Sequence, residues 1–260
     1  MATFNKRGYK EPKEKAVKTA NNFVEEIAID DKDSTTAGVF NSLDATASKT
    51  EAFVEKNQKI IFGIVGAVAL VVVGYFAYNK FIAEPKELDA AEQMFLAQQN
   101  FKKATEGTKS DSLYNLSLNG AEGKYGFLKI ASEYSGTKAA NLANYYAGMA
   151  YLNTGKFDKA IEFLQQFSSD DKVLGVIAIG ATGDAYSQNG KQKEALEQYV
   201  KAAEANKNEF TTPLYLMKAG KLALSMNDKA AALKYFTDIK DNFATSPEGQ
   251  AVDALIGLSQ

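Results

Sequence analysis

The residues best able to do chemistry in this chain are carboxylates. Asp30-Asp31-Lys32-Asp33 and Asp170-Asp171 are dense acidic groups, offering the oxygen donors that a hard cation needs. The first lacks the spaced ligands, the turn glycine and the closing glutamate of a calcium loop, and both groups read as solvated turns. Two acids facing each other across a cleft can cleave glycosides, but that chemistry requires a closed polar pocket. Asp111-Ser112 and Thr182-Gly183-Asp184 supply neither a phosphate-cradling loop nor a nucleophile elbow. The rest of the catalytic repertoire is missing, because the 260 residues include no Cys, no His and no Trp. That excludes thiolate nucleophiles, imidazole bases, disulfides and Cys/His zinc sites. With 30 basic and 32 acidic side chains the net charge is −2, which offers no basic field to nucleic acid. The expectation is a binding or structural protein: not an enzyme, with no cofactor, metal or small-molecule substrate.

One stretch must lie apart from any soluble core. Residues 60–78, IIFGIVGAVALVVVGYFAY, carry no charge and are bracketed by Lys59 and Lys80. As a helix they span about 29 Å, close to the roughly 30 Å hydrocarbon thickness of a bilayer. Eleven of them are Ile, Leu, Val or Phe, and the aromatic residues gather toward the two ends, as at membrane interfaces. A transmembrane helix over residues 59–80 is the expectation. A cleaved signal peptide does not fit, since the preceding region is 59 residues long and no small-residue cleavage site follows. Lys49, Lys56 and Lys59 before the span against Lys80 and Lys86 after it give a slight bias toward a cytoplasmic N-terminus. Gly63, Ala67, Leu70 and Gly74 share one helical face, either a docking face for another membrane helix or ordinary membrane-helix glycine usage.

Residues 1–58 are polar and poor in large apolar side chains, and they are expected to form a mostly flexible cytoplasmic tail. Short helices are predicted at residues 22–29 and 48–57. The basic start, Lys6 to Lys18, is read as solvated tail, the alternative being a contact with anionic lipid or a partner.

Beyond the span, apolar residues recur at intervals of three and four, the period of helices packed on one face. Residues 81–136 are predicted as a connector and an irregular first hairpin, with helices near 85–104 and 119–134 joined by residues 105–118. That connection is long for a helix pair.

From residue 137 the chain repeats itself. Gly148 and Gly183, Tyr151 and Tyr186, and Ala160 and Ala195 are each 35 residues apart, while Gly183 and Gly220, and Ala195 and Ala232, are 37 apart. Each unit then shows a turn residue (Gly155, Gly190, Asn227) and an aliphatic or aromatic residue four after the alanine (Leu164, Tyr199, Phe236). The glycines and alanines are small where paired helices cross closely, and the turn residues suit a left-handed backbone. Thr212-Pro213 and Ser246-Pro247 read as helix caps followed by proline in the first turn.

This pattern resembles the tetratricopeptide (TPR) repeat, a helix–turn–helix unit of about 34 residues. It departs from the repeat at Asn144, where an aromatic residue is usual, and at Ala223, where a tyrosine is. The resemblance implies an all-α chain: a single N-terminal transmembrane helix followed by a TPR-like α-solenoid over residues 137–260, closed by a capping helix from Pro247. It also implies a concave groove lined by the first helix of each pair. The groove candidates are Tyr145, Met149, Leu152 and Asn153, then Asp184, Ser187 and Gln188, then Met217, Lys221 and Leu224. Tyr145 and Met149 fit a place in the core equally well.

The layout of basic tail, single span and repeats is similar to the YfgM-like family of inner-membrane proteins with a periplasmic TPR domain. What that resemblance implies is an ancillary role at the SecYEG translocon beside a PpiD-like periplasmic chaperone, in handling translocated chains. The alternative is a scaffold subunit of another envelope assembly, for outer-membrane protein insertion or secretion.

Overall fold

The computed structural model describes residues 35–107 and 110–260. The helix predicted at residues 22–29, the basic start and the Asp30–Asp33 group lie outside the described residues. The chain divides into a unit ending at Ala69 and a second from Leu70 to Gln260.

Helix α1 (Thr35–Tyr78) contains the apolar stretch. The helix expected at residues 48–57 is present as part of α1, but it begins at Thr35, so residues 35–47, expected as flexible tail, are helical as well. Starting a helix is the costly step, and extending one is cheap. The apolar stretch provides the nucleus, and no proline interrupts the segment before it. The Thr46 and Thr50 hydroxyls donate to the carbonyls of Ser42 and Thr46, so these groups need no tertiary partner. The helix is long and apolar enough to cross a membrane, and none of its most apolar window is buried.

A wide π-helical turn (Asn79–Ala83) leads directly into α2 (Glu84–Glu106). Pro85 explains it. A proline removes one helical hydrogen bond and crowds the carbonyl four residues back, and the extra-wide turn immediately before it takes up the distortion.

The second unit is a stack of antiparallel helix pairs. The expected first hairpin is present, but its second arm is broken into α3 (Asp111–Asn119), a β1–β2 ribbon (Gly120–Ala121, Lys124–Tyr125) and α4 (Phe127–Glu133). This corrects both the expected connection at 105–118 and the helix at 119–134. Ser110 caps α3 by accepting from the Leu113 N–H, and the chain reverses at Gly120, Glu122 and Gly123, all with positive φ. Helix α2 fastens the ribbon through Gln93, which accepts from the Tyr125 N–H, and through a Glu92–Lys124 ion pair. Glu87 of α2 also accepts from the N–H groups of Lys138 and Ala139 at 2.7 and 2.8 Å, capping the next helix.

Three regular pairs follow: α5 (Lys138–Asn153) with α6 (Phe157–Gln166), α7 (Leu174–Gln188) with α8 (Gln192–Ala205), and α9 (Thr211–Ser225) with α10 (Lys229–Asn242). The repeated small residues sit where the spacing places them. A Cβ on Gly148 would meet the Leu164 side chain at 2.6 Å and one on Gly183 the Tyr199 ring at 2.8 Å, while one on Gly220 would strike Phe236. Ala160, Ala195 and Ala232 are each 0% exposed. Gly155, Gly190 and Asn227 turn the chain at φ of 72°, 74° and 62°. Two features differ from expectation. Thr212 is not a cap: Asn208 accepts from the N–H groups of Phe210 and Thr211, and α9 starts at Thr211, two residues before Pro213. The final capping helix is split at the buried Val252 into α11 (Pro247–Ala251) and α12 (Asp253–Leu258), with Ser246 capping α11 as the sequence suggests.

Candidate partner-binding groove

The first helices of the regular pairs, α5, α7 and α9, carry the groove candidates, and the structure sorts these into distinct roles. On α5, Tyr145 is half-buried, with its ring centroid 5.2 Å from Phe167 and 5.5 Å from Tyr146. Burial, and secondarily Tyr146, pushes its hydroxyl pKa upward. It therefore belongs partly to the packing. Met149, Leu152 and Asn153 are half-buried, and the Asn153 amide donates to the Met149 carbonyl at 2.8 Å.

On α7, Asp184 is not a free groove acid. Its carboxylate accepts from the Lys218 ammonium at 2.7 and 2.8 Å and from the Tyr199 hydroxyl at 2.7 Å. The Lys218 ammonium also lies 5.6 Å from the centroids of both Tyr199 and Tyr215, within reach of a cation–π attraction. Burial, then the Asp184 charge, drives the Tyr199 hydroxyl pKa well above its ordinary value. The same two causes push Tyr215 up to about 12, with Tyr145 adding to them. Asp184 is thus a tie between the second and third repeats as well as a residue of the groove wall. The groove assignment of Met217 is corrected. It is 7% exposed and packs in a core cluster with Tyr215, Leu216 and Phe236.

Ser187 and the exposed Lys221 do come together with Asp184, Tyr199 and Lys218 around a shallow hollow of about 290 Å³, with Ser225 at its edge. Gln188 is exposed and Leu224 half-buried on the same helices. Lys221 joins none of the ion pairs among the described residues. What remains available to a ligand is an apolar stretch on α5, an amide and a hydroxyl on α7, and one cation on α9 that joins no ion pair among the described residues. Such a surface can hold a polypeptide.

Lys218, Tyr215 and the Tyr199 hydroxyl were missing from the sequence-derived set. Two spacings carried a signal. Asp184 and Lys218 are 34 residues apart, about one repeat, so opposite charges fall on neighbouring first helices. Gly180 and Tyr215 are 35 apart, and a Cβ on Gly180 would collide with the Tyr215 ring. At Asp171, the carboxylate accepts from the N–H groups of Val173 and Leu174 at 2.8 and 2.7 Å, and these bonds, that from Leu174 foremost, hold its pKa below the usual carboxylate range. It is a helix cap.

In α1, Gly63, Ala67, Leu70 and Gly74 fall within an arc of about 60° at 100° per residue. All four are exposed, and a Cβ on Gly63 or Gly74 would meet nothing within 4 Å.

Comparison with known proteins identifies the repeats. Residues 142–171 and 180–209 each match a tetratricopeptide repeat model. Both include the crossing glycine, the turn glycine and the small alanine of their unit. No curated protein matches the chain. A crystal structure of kinesin light chain TPR-like repeats from Podospora anserina is similar over 67% of this chain and 85% of its own, with 13% identity and a TM-score of 0.48. The second unit is an all-α TPR-like solenoid, and TPR repeats are protein-interaction modules.

Proposed function

We propose that this chain is a membrane-anchored interaction module that works beside the SecYEG translocon and recruits, or cooperates with, a PpiD-like periplasmic chaperone. The N-terminus faces the cytoplasm, the apolar part of α1 spans the inner membrane, and the repeats stand in the periplasm. The module carries out no chemistry of its own. Its groove takes a segment of a partner or client, and the Gly63–Ala67–Leu70–Gly74 face packs against a membrane helix. The observation that carries this reading is that one chain joins an apolar helix, none of whose most apolar window is buried, to TPR repeats further along. Anchoring makes weak binding sufficient, since confinement beside an exit site gives an effective concentration that can reach the millimolar range.

The experiment is purification of the tagged full chain in mild detergent, followed by mass spectrometry, with carbonate extraction and protease treatment of spheroplasts alongside. Recovery of Sec subunits together with a periplasmic chaperone supports the proposal. Release of the chain by carbonate, protection of the repeats in spheroplasts, or recovery of only outer-membrane insertion or secretion components overturns it.

A further inference from the structure

The second helices of the three regular pairs differ in length. Helices α8 and α10 run 14 residues each, whereas α6 runs 10. Their first residues, Phe157, Gln192 and Lys229, keep the repeat spacing of 35 and 37. The last turn of α8, residues 202–205, therefore corresponds to residues 167–170, and there the chain has left the helix, with Phe167 extended at φ −79° and ψ 134°.

Residues 167–170 form one wall of a cavity of about 420 Å³, whose other walls come from α7 (Val176, Ile179) and from α8 (Gln198, Lys201). That volume lies in the usual range of ligand pockets, roughly 300–1,000 Å³. Specific bonds keep it open. The Asn141 side chain donates to the Ser168 carbonyl at 2.7 Å and accepts from the Ser168 N–H at 3.0 Å. Asp171 is fixed on the start of α7, and the Asn206 amide donates to the Lys172 carbonyl at 3.1 Å. Phe167 packs against Tyr145 with the two rings tilted, while its counterparts Ala202 and Ile239 are 0% exposed within their helices.

The Phe167 N–H takes the Leu164 carbonyl at 3.3 Å, but the early stop leaves the Gln165 and Gln166 carbonyls without a following helical turn, and carbonyl oxygens at a helix end attract N–H donors. Lys172 and Lys201, on the cavity wall, join none of the ion pairs among the described residues. Asp170 is exposed and likewise in none of them, whereas Asp171 is engaged by α7.

We propose that this cavity receives the first turn of a partner protein's helix, docked in place of the missing last turn of α6. The free N–H groups at the start of that helix meet the α6 carbonyls. Its first turn carries Asp or Glu, the residues favoured at helix N-termini, facing Lys172 and Lys201. An apolar residue one turn later packs on Phe167, Val176 and Ile179. The site is separate from the concave groove and deepens the interaction reading by naming the chemistry of a second partner segment.

The test pans the full chain, in detergent micelles, against a displayed library of helical peptides with randomised first and second turns, and measures affinity by fluorescence anisotropy. Selected peptides are expected to carry an acid in the first turn. Ala205→Trp, which fills the cavity mouth, and Lys201→Glu, at an exposed position, should each weaken binding tenfold or more. Lys221→Glu in the groove should leave it within twofold. Absence of enrichment, absence of the acidic preference, or unchanged affinity for Ala205→Trp overturns the proposal. Loss with Lys221→Glu but not with Lys201→Glu also overturns it, while supporting the groove.

Discussion

The ammonium of Lys218 meets both carboxylate oxygens of Asp184 across the boundary between the second and third repeats, at 2.7 and 2.8 Å. Each side chain is 34% exposed, so the pair is neither a surface bridge nor a fully buried one. Its strength comes from company: the Tyr199 hydroxyl donates to the same acid, and two aromatic rings flank the cation. Removing the acid alone leaves an ammonium and a hydroxyl without partners. We expect Asp184→Ala to cost about 1–3 kcal/mol. Lys218→Met, which leaves Asp184 its tyrosine donor, should cost less. A double-mutant cycle by urea unfolding, followed by circular dichroism, checks this. Additive single losses would mean that the two groups act independently.

The third repeat turns on Asn227 where its predecessors use glycine. At φ 62° an L-residue is strained by its Cβ, and asparagine tolerates this better than most. Asn227→Gly relieves that strain but adds backbone freedom to the unfolded chain, so we expect a gain of no more than about 1 kcal/mol. Gly155→Ala and Gly190→Ala, at φ 72° and 74°, should each lose about 1–2 kcal/mol. Thermal unfolding of the three variants decides it, and a stabilised Gly190→Ala would contradict the account.

These turns were legible in the sequence because their cause is local. A helix crossing requires a small residue at a fixed place, and Gly148, Gly183, Gly220, Ala160, Ala195 and Ala232 record it directly. The broken second arm of the first hairpin was harder to read. Its ribbon rests on only four strand residues and on contacts from α2 that lie about 32 residues away. The groove was legible in outline, since its positions follow from repeat register. Which groove residues stay free was not, because Asp184 and Met217 are claimed by partners from the neighbouring repeat, and that geometry depends on how the pairs stack. The helical stretch at residues 35–47 has no burial signature in the sequence, because propagation from the helix that follows it is enough to form it.

Asn144 stands where the repeat ordinarily has an aromatic residue, and its buried Oδ1 has no hydrogen-bond partner. An unsatisfied acceptor costs about 1–3 kcal/mol, and an apolar residue of similar shape removes that cost. Asn144→Leu is therefore expected to raise stability by about 1 kcal/mol, read as a later midpoint in urea. A destabilised variant would mean that the amide makes a compensating contact.

Alkaline pH tests the tyrosines around the tie. Tyr215 is pushed up to about 12, chiefly by burial and then by the Asp184 charge, and Tyr199 is raised by the same causes. A tyrosine in the unfolded chain releases its proton near pH 10. Below that pH both states hold the proton, and the environment that raises the pKa favours the folded form in full. Between pH 10 and about 12 the unfolded chain releases protons that the folded chain retains, so stability falls as pH rises. Tyr215→Phe and Tyr199→Phe remove the ionisable groups and should flatten that decline. The Tyr199 variant also gives up the hydroxyl bond to Asp184, so it starts from lower stability at neutral pH. Urea midpoints measured from pH 8 to pH 11.5 separate the two effects: Tyr215→Phe changes the slope, and Tyr199→Phe changes both slope and starting point. Slopes identical to that of the unmodified chain would show that neither ring is held as tightly against Asp184 and Lys218 as the distances require.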